Sequence, residues 1–375
     1  MINLERLNFT WFAARRTPRI LRQTPARLLL LPLLVASFGG ASAFAQEVDT
    51  VYQLRSDGFL VQNLCTGDSC DGGVILDRNS SVKSITSGGA GLFETLTTGA
   101  IRQFTGTPCN FFDCEGWLQM DNNAGTKAIA AGSGFGSGSN PYLFQLHASG
   151  WIWQSTGVPC SGNSCPGWIP LDTNAATKHI IAAGGNMNLC FDTSCPPTPA
   201  VPPLVQVHAN GSVWQYNGTP CKNGVCQGWT QIDNAHAGTQ EFGFANGFGG
   251  AGSIFQLHDG TIFRYTGQPC NYGVCPGWQP IGNAPFAKQA VAAENTARLY
   301  VLNNDGNVWE LTASGWVEVD NTSQGVSISA SNNGLFELRS DGSVWYRGAN
   351  GWVLVDNNGA TAIAASSFFL PQQLQ

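Results

Sequence analysis

Charge is what this sequence has least of. Only 11% of its 375 residues are Asp, Glu, Lys or Arg, and 18 basic residues stand against 24 acidic ones. The imbalance deepens once the first 45 residues are set apart. They hold Arg6, Arg15, Arg16, Arg19, Arg22 and Arg27 but one acidic residue, leaving 12 basic against 23 acidic, a formal charge of −11. No cluster of Lys and Arg remains to neutralise phosphates, so neither nucleic acid nor acidic lipid is expected as a partner. Catalytic signatures are lacking as well: there is no Gly-x-Ser-x-Gly, His-Glu-x-x-His, phosphate-cradling Gly-Lys-Ser/Thr loop or calcium-loop spacing, and neither an enzyme activity nor a cofactor is expected. No amphipathic helical pattern follows the first 45 residues.

Those 45 residues read as a signal peptide. A long basic region precedes the apolar run Leu28 to Phe38, which is short for a bilayer span, and Ala41-Ser-Ala43 and Ala43-Phe-Ala45 fit small-x-small cleavage sites. Arg15-Arg16 suggests a twin-arginine route as an alternative, although Thr17-Pro18 follows it, and an uncleaved anchor is the other alternative. The expectation is an exported protein, secreted or periplasmic or on the cell surface, with no membrane insertion after cleavage.

What is abundant is glycine, 46 residues, together with aromatic side chains and short apolar runs broken by turn residues. Leu143 to Gly184 is the template. Leu143 to Leu146 reads as a strand, Ser149-Gly150 as a two-residue hairpin turn of type I′ or II′, Trp151 to Ser155 as the returning strand, Trp168 to Leu171 as a third and Ile180 to Ala183 as a fourth. The strand-turn-strand core recurs seven times, beginning at Val51, Leu92, Leu143, Leu204, Ile254, Leu299 and Leu335, and a Gly-Trp pair opens the third strand in all repeats but the first. Units of four strands at this period predict an all-β, seven-bladed β-propeller over residues 46–375, with a solenoid as the alternative. The C-terminal strand Thr361 to Ala365 has no later repeat to serve and is expected to complete the first blade, which hides free sheet edges. Runs of Ala at 128–131 and 290–293 suit innermost strands crowded round an axis.

All 12 cysteines fall into pairs with four residues between partners: Cys65/Cys70, Cys109/Cys114, Cys160/Cys165, Cys190/Cys195, Cys221/Cys226 and Cys270/Cys275. In an exported chain these predict six local disulfides. A zinc reading is the alternative, but the pairs have no consistent His companion. Three insertions, Gly132 to Tyr142, Asn186 to Pro203 and Asn246 to Ser253, are expected on the same face as the Cys loops.

Asp77, Asp121, Asp172, Asp233, Asp320 and Asp356 each end a third strand and read as repeated Asx turns rather than a catalytic pair. The candidate ligand-binding residues lie in repeats three to five. There Gln145/His147, Gln206/His208 and Gln256/His258 form Gln-x-His pairs, where other repeats place Arg55, Thr97, Asn303 and Arg339 in the His position. Trp153, Trp214 and Phe263 stand opposite on the second strand. Hydrogen bonding between blades, metal ligation and ligand contact are the three readings of these histidines. The aromatic residues read as inter-blade core or as stacking faces for sugar rings.

The phrase Leu335-Phe-Glu-Leu-Arg-Ser-Asp-Gly-Ser-Val-Trp345, followed by Gly351-Trp352, resembles the repeats of tectonin and tachylectin-type β-propeller lectins, and the resemblance runs over about 51–365. It implies multivalent binding of glycans or glycoconjugates without catalysis. The Cys loop and the Asp-Asn-Asn-x-x-Thr turn depart from that pattern. A surface or envelope protein-interaction scaffold, and an enzyme using the central channel, are the alternatives.

Overall fold

The computed structural model describes residues 47–88, 91–110, 113–132, 142–182, 204–234, 239–245, 253–292, 298–331 and 333–369. The predicted signal peptide and the three insertions apart from Gly132, Tyr142 and Ser253 lie outside the described residues. Among the described residues no helix is long and apolar enough to cross a membrane.

Seven antiparallel sheets form the blades, as predicted. Blade 3 runs outward from Thr126–Gly132 through Tyr142–His147 and Ile152–Ser155 to Trp168–Asp172. Its sheet is therefore offset by one strand from the template. The predicted fourth strand, observed as Thr177–Ala182, pairs with Leu204–His208 and opens blade 4, because the turn after Asp172 carries the chain across to the neighbouring sheet. The same offset leaves blade 1 without an inner strand until the chain's end. Ala360–Phe369 then pairs antiparallel with Glu47–Arg55, in register from Leu54↔Ala362 to Glu47↔Phe369, and closes the ring.

The hairpin turns differ from the expectation. In blade 3 the closing bonds are Gly150 N–H to the His147 carbonyl (2.9 Å) and His147 N–H to the Trp151 carbonyl (2.8 Å), so three residues form the loop. This is a type I turn followed by a glycine in the left-handed region, and the same bond pair recurs in blades 1, 2, 4, 6 and 7. Only blade 5, one residue shorter, makes the two-residue turn, with both Asp259 (φ 46°) and Gly260 (φ 72°) left-handed. The repeated glycine is needed in either geometry.

The core lies between blades. Phe144, Leu146, Ile152 and Leu171 of blade 3 pack on Ile180, Leu204 and Tyr216 of blade 4, all buried. The Gly-Trp pairs tie the same junctions from the outer strand. Trp168 donates its indole N–H to the Met120 carbonyl of the preceding blade (2.9 Å), and Trp117, Trp229, Trp278 and Trp352 repeat the bond to Leu76, Leu171, Ile232 and Val319. At the axis the inner strands touch directly: Gln289 exchanges two hydrogen bonds with Ile328 (2.9 and 3.0 Å), and Ser87 donates to the Ala365 carbonyl (2.9 Å). That proximity is the reason for the small residues there.

Cys65–Cys70, Cys109–Cys114, Cys160–Cys165, Cys221–Cys226 and Cys270–Cys275 are disulfides, with Cα separations of 4.0 to 4.2 Å. All five pairs that fall among the described residues are bridged as expected. The predicted bridge between Cys190 and Cys195 is not among the five, because Cys190 and Cys195 belong to the Asn186 to Pro203 insertion and lie outside the described residues. Each loop in blades 2 to 5 also covers its neighbour. The backbone N–H of Cys109, Cys160, Cys221 and Cys270 donates to the carbonyl of Ile75, Gln119, Pro170 and Gln231, on the outer strand of the preceding blade (2.9 to 3.0 Å). A framework of such bridges forms and persists in oxidising compartments.

Candidate functional site on the turn face

Strand alternation sorts the loops onto two faces. The turns around Gly150 and the Asp-ended connections between blades emerge on one, and the Cys loops on the other. The candidate histidines and second-strand aromatics therefore sit at the turn face. The sequence features that single out repeats three to five do not all converge, since the Cys loops open on the far side.

The glutamines are buried between blades. Gln145, Gln206 and Gln256 are 3%, 1% and 2% exposed, and each donates its amide to the Asp that ends the previous blade: Gln145 to Asp121 (2.7 Å), Gln206 to Asp172 (2.7 Å) and Gln256 to Asp233 (2.9 Å). The other carboxylate oxygen caps the turn, as Asp121 does for the Asn122 N–H (2.9 Å). The repeated Asp thus caps its own turn and latches the next blade at once: Asp172 closes an Asx turn onto the Asn174 N–H (2.9 Å), whereas Asp77, Asp121 and Asp233 hold the N–H of the following residue.

Other junctions vary the theme with arginine. Arg55 reaches Asp356 (2.7 Å), Arg339 pairs with Asp320 and Glu337 (3.2 and 3.1 Å), and Arg102 pairs with Asp77 and Glu94. Glu94 occupies the Gln position of blade 2; burial pushes its carboxyl up to about 8, against the pull of Arg102 and with the repulsion of Asp77. Glu337 is raised to about 7 by burial and by Asp320, opposed by Arg339. A protonated glutamate in these slots is a hydrogen-bond donor toward the aspartate, as the glutamine amide is elsewhere.

The histidines lie one step nearer solvent. His147 is half-buried, with Nδ1 3.0 Å from the Ser149 hydroxyl and Nε2 3.2 Å from the Asn123 side-chain oxygen. His208 stacks on Trp214 at 5.7 Å between centroids, and burial lowers its basicity, with Asp172 partly offsetting. His258 lies 3.3 Å from the Asp259 carboxylate and 6.1 Å from the Phe263 ring. In blade 2 the residue with the histidine's backbone bonds is Leu96, one before Thr97. Trp151 is not among the candidate residues named from the sequence. Its ring is 40% exposed just after the turn, 6.2 Å from Trp153, and on the sheet face shared by Gln145 and His147. Its position directly across from His147 was the available signal.

Among the described residues no cluster of three or more His, Cys, Asp or Glu is placed to hold a metal. No family model matches the chain, and no curated protein matches it. Solved structures show likeness in fold. AztD from Citrobacter koseri matches as an apo structure (11% identity, TM-score 0.46) and in a second crystal structure (12%, 0.48), each covering 86% of this chain and 98% of AztD. Human WBSCR16 matches at 9% identity and TM-score 0.45 over 81% of this chain and 89% of its own. The class rests on the chain's own strand pairing, which is that of a seven-bladed β-propeller with four-stranded blades.

Proposed function

We propose that the protein is an exported, non-enzymatic, glycan-binding propeller whose contacts lie on the turn face of blades 3 to 5. The observation that carries this reading is the blade 3 cluster. The exposed Trp151 ring stands beside Trp153, with the His147 imidazole, the Ser149 hydroxyl and the Asn123 amide alongside. An aromatic face offers the apolar side of a pyranose a stacking surface, and the neighbouring polar groups exchange hydrogen bonds with its hydroxyls. Blade 4 keeps part of the combination: His208 stacks on Trp214, whose indole donates to Ser212, but Ser212 stands in the Trp151 position and it and His208 are buried. The tectonin and tachylectin-like blade phrase and the disulfide framework support a carbohydrate-binding role outside the cytoplasm, secreted, periplasmic or at the cell surface. The test is a glycan array with the purified mature protein. Trp151→Ala and the triple variant His147→Ala, His208→Ala and His258→Ala should each lose most glycan binding, with stability falling by only about 1 kcal/mol per lost side-chain bond. Full binding with a collapsed melting temperature assigns the histidines to blade packing.

One observation favours a protein-interaction scaffold as the second reading. The Cys loops expose apolar side chains on the opposite face, with Tyr272 99%, Val274 66% and Val225 56% accessible. A partner captured through that face, with no glycan bound at high micromolar concentration, would replace the first reading.

A further inference from the structure

Four of the chain's five lysines occupy one structural position. In each inner strand the register to the second strand shifts near the turn face, and the residue skipped by the pairing is Lys83 in blade 2, Lys127 in blade 3, Lys178 in blade 4 and Lys288 in blade 6. Gln240, Val326 and Thr361 hold the same bulge in blades 5, 7 and 1, so the bulge itself has no need of a charge. A β-bulge turns its extra residue out of the ladder and re-aims the side chain. All four lysines are exposed, on the strands that encircle the axis. The sequence shows no basic cluster because these residues are spread from position 83 to position 288, and only the closed ring gathers them. The fifth, Lys222, lies in a Cys loop on the opposite face.

Hydrogen bonds fix where two of the ammonium groups lie. Lys127 Nζ donates to the Lys178 carbonyl (2.9 Å) and Lys288 Nζ to the Gly325 carbonyl (3.2 Å), so each side chain runs round the axis to the inner strand of the next blade and keeps further N–H donors. Blades 2, 3 and 4 are consecutive, which sets Lys83, Lys127 and Lys178 on neighbouring strands, and in a ring of seven blade 6 stands across the axis from blades 2 and 3. Partial desolvation lowers the basicity of the His179 imidazole, and the charges of Lys127 and Lys178 lower it further, so both ammonium groups act on one ring. Among the described residues no carboxylate lies within ion-pair distance of any of the four lysines. Glu241, which holds the register position of His179 in blade 5, is the one acid among the bulge residues and those that follow them. Positive charges gathered without counter-charge repel each other, and an anion among them relieves that repulsion.

We infer that the turn-face end of the axis binds a compact polyanion, a small molecule carrying several phosphate or sulfate groups, on Lys83, Lys127 and Lys178 with Lys288 across the axis. A lysine ammonium is a point charge on a flexible stem, which serves phosphate or sulfate oxygens without demanding one planar geometry and so suits a site assembled from several blades. The site shares no residue with the Trp151 cluster. It goes beyond the glycan reading and does not depend on it.

The probes are myo-inositol hexakisphosphate and sucrose octasulfate, with myo-inositol and sucrose as uncharged controls, titrated calorimetrically into the full mature protein at low and at physiological salt. At least one anionic probe should bind, more weakly at the higher salt, and the controls should not bind. The tighter of the two distinguishes a free polyphosphate from a sulfated saccharide. Lys127→Gln with Lys178→Gln should weaken binding on the order of a hundredfold, about tenfold for each charge-assisted bond lost, while Lys222→Gln leaves it unchanged. In NMR the His179 ring signals should move along the same saturation curve and titrate at higher pH in the complex, since a bound anion offsets the two lysine charges. Lys83→Gln covers the case in which the double variant fails to fold: the Lys83 side chain makes no hydrogen bond to the described residues, so the change should keep the melting temperature and weaken binding several-fold. No binding of either anionic probe at millimolar concentration in low salt would overturn the site. Binding that the lysine variants leave unchanged, or unmoved His179 signals in the saturated complex, would overturn it equally.

Discussion

Asp77 shows how much one carboxylate is asked to do. One oxygen accepts the Arg78 backbone N–H (2.8 Å) and the other meets Arg102, while Glu94 beside it is fully buried. Glu94 has a folded pKa of about 8 against 4.5 for the free side chain, so its stabilising effect is complete below about pH 4.5 and is lost as pH rises toward and through 8. Glu94→Gln keeps the donor without the proton to lose. The variant should match the wild type near pH 4.5 and be more stable at pH 9, by on the order of a few kcal/mol, in paired melts across that range. The tryptophans give a second, internally controlled prediction. Trp168→Phe removes the donor to the Met120 carbonyl and should cost about 1–3 kcal/mol. Trp316→Phe deletes an N–H that has no partner among the described residues and should cost less than half as much in the same denaturant titration.

At the scale of strands and loops, the disulfide-bridged loop covers the outer edge of the blade before it. The Cys160 N–H occupies the Gln119 carbonyl that an open edge strand would leave for another molecule. Non-reducing mass spectrometry should find no free thiol and six within-pair links, the five observed bridges and a sixth joining Cys190 to Cys195. Reduction should remove up to about 2 kcal/mol per six-residue loop by the chain-entropy estimate, and bound zinc or cross-pair links would contradict it. In blades 2 to 5 the glycine before the tryptophan belongs to the same device, because a Cβ at Gly116, Gly167, Gly228 or Gly277 would lie about 2 Å from a carbonyl across the loop base. These elements were legible because turn glycine, Gly-Trp and Cys pair recur at a fixed spacing, which set strand order, blade number and the partners of the five observed disulfides. Cys190 and Cys195 share that spacing but sit in an insertion between strands, away from the loop that carries the other pairs, so the repeat gives them no blade position. The three-residue turn was missed because a glycine in the left-handed region serves both loop lengths. Gln145 was harder to place, since alternation puts it on the same face as His147 and cannot say that an aspartate of another blade buries it. Trp151 was read as the first residue of the returning strand, and nothing in the repeat marks it as exposed, since among the other blades only blade 1 carries an aromatic residue at that position, Phe59.

For the whole ring, closure rests on Ala360–Phe369, which contributes the inner strand of blade 1. Deleting residues 361–375 exposes the edge of Glu47–Arg55 and unties the inner-strand contact from Ser87 to the Ala365 carbonyl. The truncated protein should aggregate or melt without cooperativity in calorimetry, and a soluble product with an unchanged melt would contradict closure by this strand. The pairing also sets a schedule. Glu47 must wait for Phe369, more than three hundred positions later in the chain, before its own sheet is complete, so contacts of the greatest sequence separation are the last to form. Until then the first blade is an unfinished sheet with a sticky edge, and the ring cannot lock. Folding is thereby tied to the arrival of the last strand, which seals the molecule only once every other blade is in place.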